Sequence, residues 1–509
     1  MHLIQYALSS VGVAACPLLL VAVVELLAPG YVPSVLRDAV SSVINAYLNH
    51  RFPIKHRDGI RDLPSCPYHW PNGQGDEAKF LSGVENSPAW KERYGSIYRI
   101  WSGMKPEIVL TQPHQLSGVF SDSDKHIKAA ANDSGAYMNR LLGKCVGLIS
   151  GEEWRNVRSV VGMPFGYQVT STRIPNVERQ ILDHLDRLHT NGSLGNEILH
   201  PVKDMKMLPF WVVAEIFYPR LPPLLAQELL GLAPLREKIF RHVVQGGLTR
   251  FSWAQWLPTT ANAELREFQG RWKAFNDAAH AHALAHDPSL PIAQMYKATK
   301  SGQMTQNQLL QTLDEALYAN LDITTGALSW NLVFLAAHPD VQKRLRSEAQ
   351  LASEEGRMDA YLRSDSTYLA ACVMESSRLK PLAAFSVPQA APTAREVDGY
   401  IIPAGTNFMV DSYALNIDSD TWAPDNTTYR PDRFLAKRGS ELRYRFWRFG
   451  FGLRQCMGRY VADLMIRQTL VHLVLNYELS WLDKEDWSRN RDSWITHPDF
   501  LLRCVKRAQ

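Results

Sequence analysis

Cys456 offers the most chemistry of any residue in this 509-residue chain. It stands in Phe449-Gly450-Phe451-Gly452-Leu453-Arg454-Gln455-Cys456-Met457-Gly458, a glycine-punctuated loop followed at once by a long apolar-patterned run, Tyr460 to Trp481. At the mouth of a helix, unpaired N–H groups and a partial positive charge favour thiolate over thiol. A thiolate held there is a metal ligand. The glycines let a flat, bulky group approach the backbone, and Arg454 is placed to meet an anion on that group. The alternative is a structural cysteine at an ordinary loop-to-helix junction, because free cysteines usually pack as small hydrophobes.

Two side-chain pairs at helical spacing accompany it. Glu375 and Arg378 are three apart, and Trp154 and Arg158 are four apart, so each pair shares one helical face. Taken alone, the first reads as a solvated ion pair and the second as part of an ordinary amphipathic helix.

The cysteine loop resembles the haem-binding signature of the cytochrome P450 family, Phe-x-x-Gly-x-Arg-x-Cys-x-Gly. Phe449, Gly452, Arg454, Cys456 and Gly458 fill its fixed places. The resemblance implies a haem whose iron takes the Cys456 thiolate as axial ligand. It also implies cofactor contacts from Phe449, Gly452, Arg454 and Gly458, and from Arg158 to a propionate with Trp154 alongside. Glu375-Ser376-Ser377-Arg378 lies about 80 residues before Cys456, as the family's Glu-x-x-Arg does. Tyr429-Arg430-Pro431-Asp432-Arg433-Phe434 resembles its Pro-x-Arg-Phe element. Arg433 would then join Glu375 and Arg378 in a buried triad, which survives burial only if all three are paired.

The oxygen-side helix departs from the family pattern. Tyr318-Ala319-Asn320-Leu321-Asp322-Ile323-Thr324-Thr325 resembles Ala/Gly-Gly-x-Asp/Glu-Thr-Thr, with Asn320 in place of the glycine and Ile323 in place of the alcohol after the acid. Asp322 and Thr324 are therefore the candidate catalytic residues. One residue along a helix is about 100° of rotation, so Thr324 substitutes for the missing hydroxyl only if the helix is locally deformed. Asn320, Thr324 and water sharing a proton relay, a polar group of the substrate, and a merely structural role for these side chains all stay open. Downstream, Leu382 to Gln389 matches the strand that faces substrate in the family, with Phe385 and Val387 at alternating positions. Its Phe-Ser-Val-Pro-Gln form resembles fungal members that tailor peptide-derived diketopiperazines, including those of gliotoxin-type pathways. The strand lacks a propionate-binding arginine, leaving that anion to Gln389, or to Arg158 and Arg454 alone.

These residues need a helical scaffold. Apolar spacing of three and four predicts helices over Val177–Leu188, Asn307–Ala337, Asp340–Ala352 and Tyr368–Leu379. Short strands are predicted at Tyr98–Trp101, Glu107–Thr111 and Val397–Asn407, the last with turns at Gly399 and Pro403-Ala404-Gly405. The expected fold class is mainly α with small β-sheets, the cytochrome P450 fold, preceded by one transmembrane helix. The expected division is an anchor over 1–30, a membrane-proximal linker over 31–74 and a catalytic domain over 75–509. Ala7 to Leu27 is apolar except for Ser9, Ser10 and Glu25, and about 21 helical residues reach across a bilayer core of about 30 Å. Arg37, Arg51, Lys55, Arg57 and Arg61 follow it and no Lys or Arg precedes it, which puts the catalytic part on the cytoplasmic side. A cleaved signal peptide is the competing reading, and it wants a basic start that is missing. Ser34–Asn49 is a second amphipathic stretch, and Pro64, Pro67 and Pro71 mark a stiff connector.

A net charge of +4 excludes bulk nucleic-acid binding. Six cysteines without a CxxC pair suit a reducing compartment. The expected function is a haem-dependent monooxygenase of the endoplasmic reticulum membrane, single-pass and facing the cytoplasm. It would use O2, a small-molecule substrate and NADPH–cytochrome P450 reductase. Arg155, Arg443, Arg445, Arg448 and Arg459 would form a basic face for that reductase. A haem–thiolate isomerase or dehydratase without reductase, and a non-catalytic haem-binding protein, are the alternatives.

Overall fold

The computed structural model of the chain describes residues 17–128, 134–437 and 439–508. These fall into two compact units. One takes the described part of Met1–Gly143 together with Glu237–Glu267 and Phe385–Asp411, and the other takes Lys144–Arg236, Phe268–Ala384 and the chain from Ser412 onward.

The first unit is organised by a five-stranded sheet in the order Ile97–Ser102, Lys105–Leu110, Asn407–Val410, Gln389–Ala390, Ile127–Lys128. The first two strands form an antiparallel hairpin with Tyr98 opposite Val109, and Lys105–Leu110 pairs in parallel with Asn407–Val410. All six residues of Ile97–Ser102 are buried, so its β-branched and aromatic side chains pack on both faces. Trp101 packs with Leu48 and Tyr68. The proline-rich segment expected as a connector is laid along this strand, with Arg99 donating its N–H to Pro64 O at 2.9 Å and Cys66 donating to Arg99 O at 2.8 Å. The predicted strand Val397–Asn407 resolves into a small hairpin, Arg395–Val397 with Tyr400–Ile402, and the separate strand Asn407–Val410. Asp398 and Gly399 make the hairpin turn at φ 48° and 79°, the left-handed pair that suits a two-residue turn.

The amphipathic stretch after the N-terminus forms the helix Ser34–Arg51. Residues 17–27 are helical. No helix among the described residues is long and apolar enough to cross a membrane, and the expected span Ala7–Leu27 begins outside them. Glu25 is buried; it pairs with Arg37 at 3.2 Å and accepts the Gly30 N–H at 3.3 Å.

The second unit is helical, with one three-stranded sheet made of Ile198–Leu199, Leu502–Lys506 and Tyr477–Trp481. Two of its helices begin at capping side chains. Thr305 and Gln308 form a reciprocal capping box ahead of Gln306–Asp314. Thr367 accepts the Ala370 N–H at 3.1 Å ahead of Tyr368–Leu379. Ile174–Asn191 and Pro339–Glu354 extend the predicted helices by a few residues at each end. The predicted helix Asn307–Ala337 is present but interrupted, because a π-turn, Glu315–Ala319, separates Gln306–Asp314 from Asn320–Ala337. The apolar run after the cysteine loop also divides. Arg459–Asn476 is helix and Tyr477–Trp481 is strand.

Candidate active site

All of the candidate haem and catalytic residues lie in the second unit. The cysteine loop is closed by its own backbone. Cys456 donates its N–H to Phe449 O at 2.8 Å and Gln455 donates to Gly452 O at 3.2 Å. Gly450 and Gly452 take φ values of 80° and 65°, the left-handed region where a side chain is strained. Gly458 then precedes the helix Arg459–Asn476. Cys456 is accessible to solvent-sized contact yet surrounded by protein. Burial raises its thiol pKa, and the Gly458 N–H and the charges of Arg158 and Arg459 oppose that rise.

The loop is tied to the rest of the unit through a polar chain that begins at the ionic triad. Arg378 grips Glu375 with two bonds of 2.8 Å, and Arg433 Nε adds a third at 2.9 Å. All three side chains are buried, and the remaining arginine donors go to the carbonyls of Asn416, Trp422, Asp425, Asn426 and Thr428. The triad is therefore fully paired, the condition under which such a cluster tolerates burial. From it, Arg378 Nη1 reaches Asn416 O at 3.0 Å. The Asn416 side chain then accepts the Trp447 N–H and donates to Trp447 O, both at 2.8 Å. Asn416 thus links the triad to the residue two places before Phe449. No motif in the sequence singled it out.

Trp154 and Arg158 share a face of the helix Gly151–Val161, as their spacing required. Trp154 is buried and stacks on the Arg454 guanidinium at 4.5 Å. Arg454 Nη2 donates to Ile149 O at 2.8 Å, while its Nη1 is buried with no partner. Burial pulls the Arg454 pKa down to about 10 and lowers that of Arg158, with the Cys456 charge acting the other way on Arg158. Among the described residues the Arg158 guanidinium has no hydrogen-bond or ion-pair partner. Two guanidinium groups with donors to spare, one of them buried and orphaned, fit an anionic group such as a haem carboxylate.

The departure on the long helix takes definite form. Ile323 is 36 % exposed, whereas Thr324 and Thr325 are buried. Ala327, one turn on, is half-buried, so the open face of this helix carries Ile323 and Ala327. Thr325 Oγ1 bonds back to Leu321 O, and Ser329 Oγ donates to Thr325 O and Pro201 O at 2.7 Å. The Asp322 carboxylate lies 3.6 Å from Lys206 Nζ, and its carbonyl accepts from His497 Nε2 at 2.9 Å. The Asn320 side chain lies outside what the structure describes. Neither Lys206 nor His497 stood out in the sequence, because each comes from a segment distant in the chain.

Of the five arginines expected on a basic face, Arg448 is engaged with Asp463 and with Ser377 at 3.1 Å, and Arg459 donates to Gln455 and Tyr460 at 2.8 Å. Arg155, Arg443 and Arg445 are exposed. A cavity of about 640 Å³ beside the loop is lined by Arg443, Phe449, Gly450, Gln455 and Tyr460, among others.

Residues 84–502 match the model of the cytochrome P450 family. The chain is 55 % identical over 466 residues to the cytochrome P450 monooxygenase aclC of Aspergillus oryzae, covering 91 % of this chain and 95 % of the relative. It is 50 % identical to the cytochrome P450 monooxygenase asaD of Aspergillus flavus, covering 92 % and 91 %, and 40 % identical to the cytochrome P450 monooxygenase gliC of Aspergillus fumigatus, covering 92 % and 94 %. Among solved structures, a zebrafish cytochrome P450 with progesterone superposes with a TM-score of 0.64 at 18 % identity, over 84 % of this chain and 99 % of that one. With a thiolate-bearing loop, paired cations beside it and a fold shared with solved members, the chain belongs to the cytochrome P450 family. It is a monooxygenase that carries haem on a cysteine thiolate and works with O2, a small-molecule substrate and a redox partner.

Proposed function

We propose that this monooxygenase oxidises a peptide-derived diketopiperazine in fungal secondary metabolism. In this reading it takes electrons from NADPH–cytochrome P450 reductase at the endoplasmic reticulum membrane, with its catalytic domain in the cytoplasm. Bound haem supplies oxygen activation, with the thiolate favouring O–O cleavage. This chain's residues do the rest. Cys456 ligates the iron, and Arg158 and Arg454 hold the haem carboxylates, the latter braced by Trp154. Phe449, Gly452 and Gly458 shape the loop that receives the ring.

The observation that carries the finer reading is the apolar open face at Ile323 and Ala327. A site whose own helix offers a branched hydrocarbon side chain where family members offer a hydroxyl suits a substrate that brings its own hydrogen-bond donors, as a ring of two amides does. The Phe385-Ser386-Val387-Pro388-Gln389 segment supports this class by its resemblance. Asp322, with Lys206 beside it, is the ionisable group for proton supply. Thr324, buried, contributes through the helix groove rather than from the open face. Exposed Arg155, Arg443 and Arg445 support docking of an acidic flavin domain. Exposed Leu19, Leu20, Val23 and Leu27 support an apolar anchor at the N-terminal side.

The test is turnover of cyclic dipeptides by the membrane fraction, with NADPH and O2 supplied or withheld. Product that forms only with both, and with cyclic rather than linear dipeptides, supports the reading. Product that forms without NADPH, or from linear dipeptides as readily, would overturn it.

A further inference from the structure

Residues 144–149, just ahead of the helix Gly151–Val161, are held on one side by three side chains from consecutive turns of the long helix. Gln311 Oε1 accepts the Lys144 N–H at 2.6 Å and Thr312 Oγ1 accepts the Val146 N–H at 3.0 Å. Glu315 Oε2 accepts the Gly147 N–H at 3.0 Å. The buried Cys145 thiol is also hydrogen-bonded to Glu315. On the other side, Arg454 donates to Ile149 O at 2.8 Å and to Gly147 O at 3.5 Å. The segment is therefore a strap between the long helix and the cysteine loop. A side chain at its centre would displace the Glu315 carboxylate, since a Cβ on Gly147 would lie 1.8 Å from Glu315 Oε1.

Glu315 is also the first residue of the π-turn. A π-turn inserts one residue into a helix and re-aims the side chains beyond it, and such turns concentrate at functional sites. Glu315 and Arg454 grip Gly147 from its two polar ends, the carboxylate at its N–H at 3.0 Å and the guanidinium at its carbonyl at 3.5 Å. The acid thus stands one residue away from the cation beside the cysteine loop, where the partial burial of Arg454 strengthens electrostatics.

We propose that Glu315 is a positioning residue that holds the strap by its carboxylate and, by its negative charge, keeps the reduction potential of the bound haem low. The inference rests on the haem–thiolate assignment above. A carboxylate near the iron favours the ferric state, the more positive of the two. Replacing it by the isosteric amide keeps an oxygen acceptor for the Gly147 N–H, deletes the charge and turns the second carboxylate oxygen into an N–H donor.

The experiment is spectroelectrochemical titration of the purified, haem-loaded enzyme at fixed ionic strength, for wild type, E315Q and E315D, with haem content measured in parallel. E315Q should favour the ferrous state about tenfold more, a rise of about 59 mV for one electron, while E315D stays near wild type. An unchanged potential in E315Q with haem retained overturns the proposal. If E315Q retains no haem and E315D does, the charge serves haem retention and not the potential, and the proposal falls. If both lose haem alike, Glu315 acts through packing alone and the proposal falls. The haem–thiolate assignment fails separately, by a wild-type ferrous–CO spectrum without the thiolate band.

Discussion

Arg454 does three things with one guanidinium. It stacks on Trp154, bonds the strap at Ile149 and leaves a buried donor for an anion. A lysine has the charge but not the planar fork, so Arg454→Lys should fold and bind haem yet release it faster. Transfer of haem to an acceptor globin should accelerate on the order of tenfold, the effect of losing roughly 1.4 kcal/mol of charged hydrogen bonding. Unchanged release would show that charge alone suffices. Ile323 gives the second prediction at this scale. Ile323→Thr places a hydroxyl on the open face of the helix, where the wild-type chain has none. The ratio of product formed to NADPH consumed should change, with peroxide release moving the opposite way. If both stay constant, the hydroxyl position has no bearing on proton supply in this enzyme.

Among the elements, the helix Tyr368–Leu379 and the cysteine loop behave as one body because Asn416 joins them. Asn416→Ala strips partners from the half-buried backbone N–H and C=O of Trp447, a loss of about 1–3 kcal/mol. It should lower the unfolding midpoint and broaden the ferrous–CO band, although residue 416 touches neither cysteine nor cation of the haem site. An unaltered band would mean that the loop holds its shape without the triad. These same elements differ in how plainly residue order announces them. The cysteine loop and the Glu375–Arg378 pair could be read because their chemistry demands fixed local spacing. Tyr368–Leu379 could be placed to the residue because Thr367 caps it and Leu379 ends its apolar pattern. The π-turn at Glu315–Ala319 left no such trace, since one inserted residue hardly disturbs the apolar spacing on either side. Asn416, Lys206, His497 and Glu315 owe their roles to partners 31, 116, 175 and 168 residues away in the chain, and no local pattern reports such pairings.

At the scale of the whole molecule, stability should carry the mark of one half-buried cation. Lys380 lies over Trp330 at 4.3 Å and Trp487 at 5.2 Å, and burial pulls its pKa from 10.5 to about 8. The unfolded chain therefore holds this proton between about pH 8 and 10.5 while the folded chain has released it. Stability contributed by this group rises with pH across that window and is constant below it. At about 1.4 kcal/mol per pKa unit, the effect is no more than roughly 3 kcal/mol and is reduced by partial exposure. Lys380→Met should stabilise the protein at neutral pH and flatten its pH dependence relative to wild type, as read by denaturant unfolding at several pH values. A parallel displacement of the two curves, with no difference in slope, would show that Lys380 keeps its ordinary pKa.

The haem chemistry turns on one thiolate. The ferrous–CO difference spectrum of the wild-type protein beside Cys456→Ser tests it most directly. The thiolate-shifted band should be present in wild type and absent in the variant, with the triad residues untouched and the protein still folded by circular dichroism. A band that survives the substitution, or a folded, haem-loaded wild type that never shows it, would contradict the assignment of Cys456 as the iron ligand.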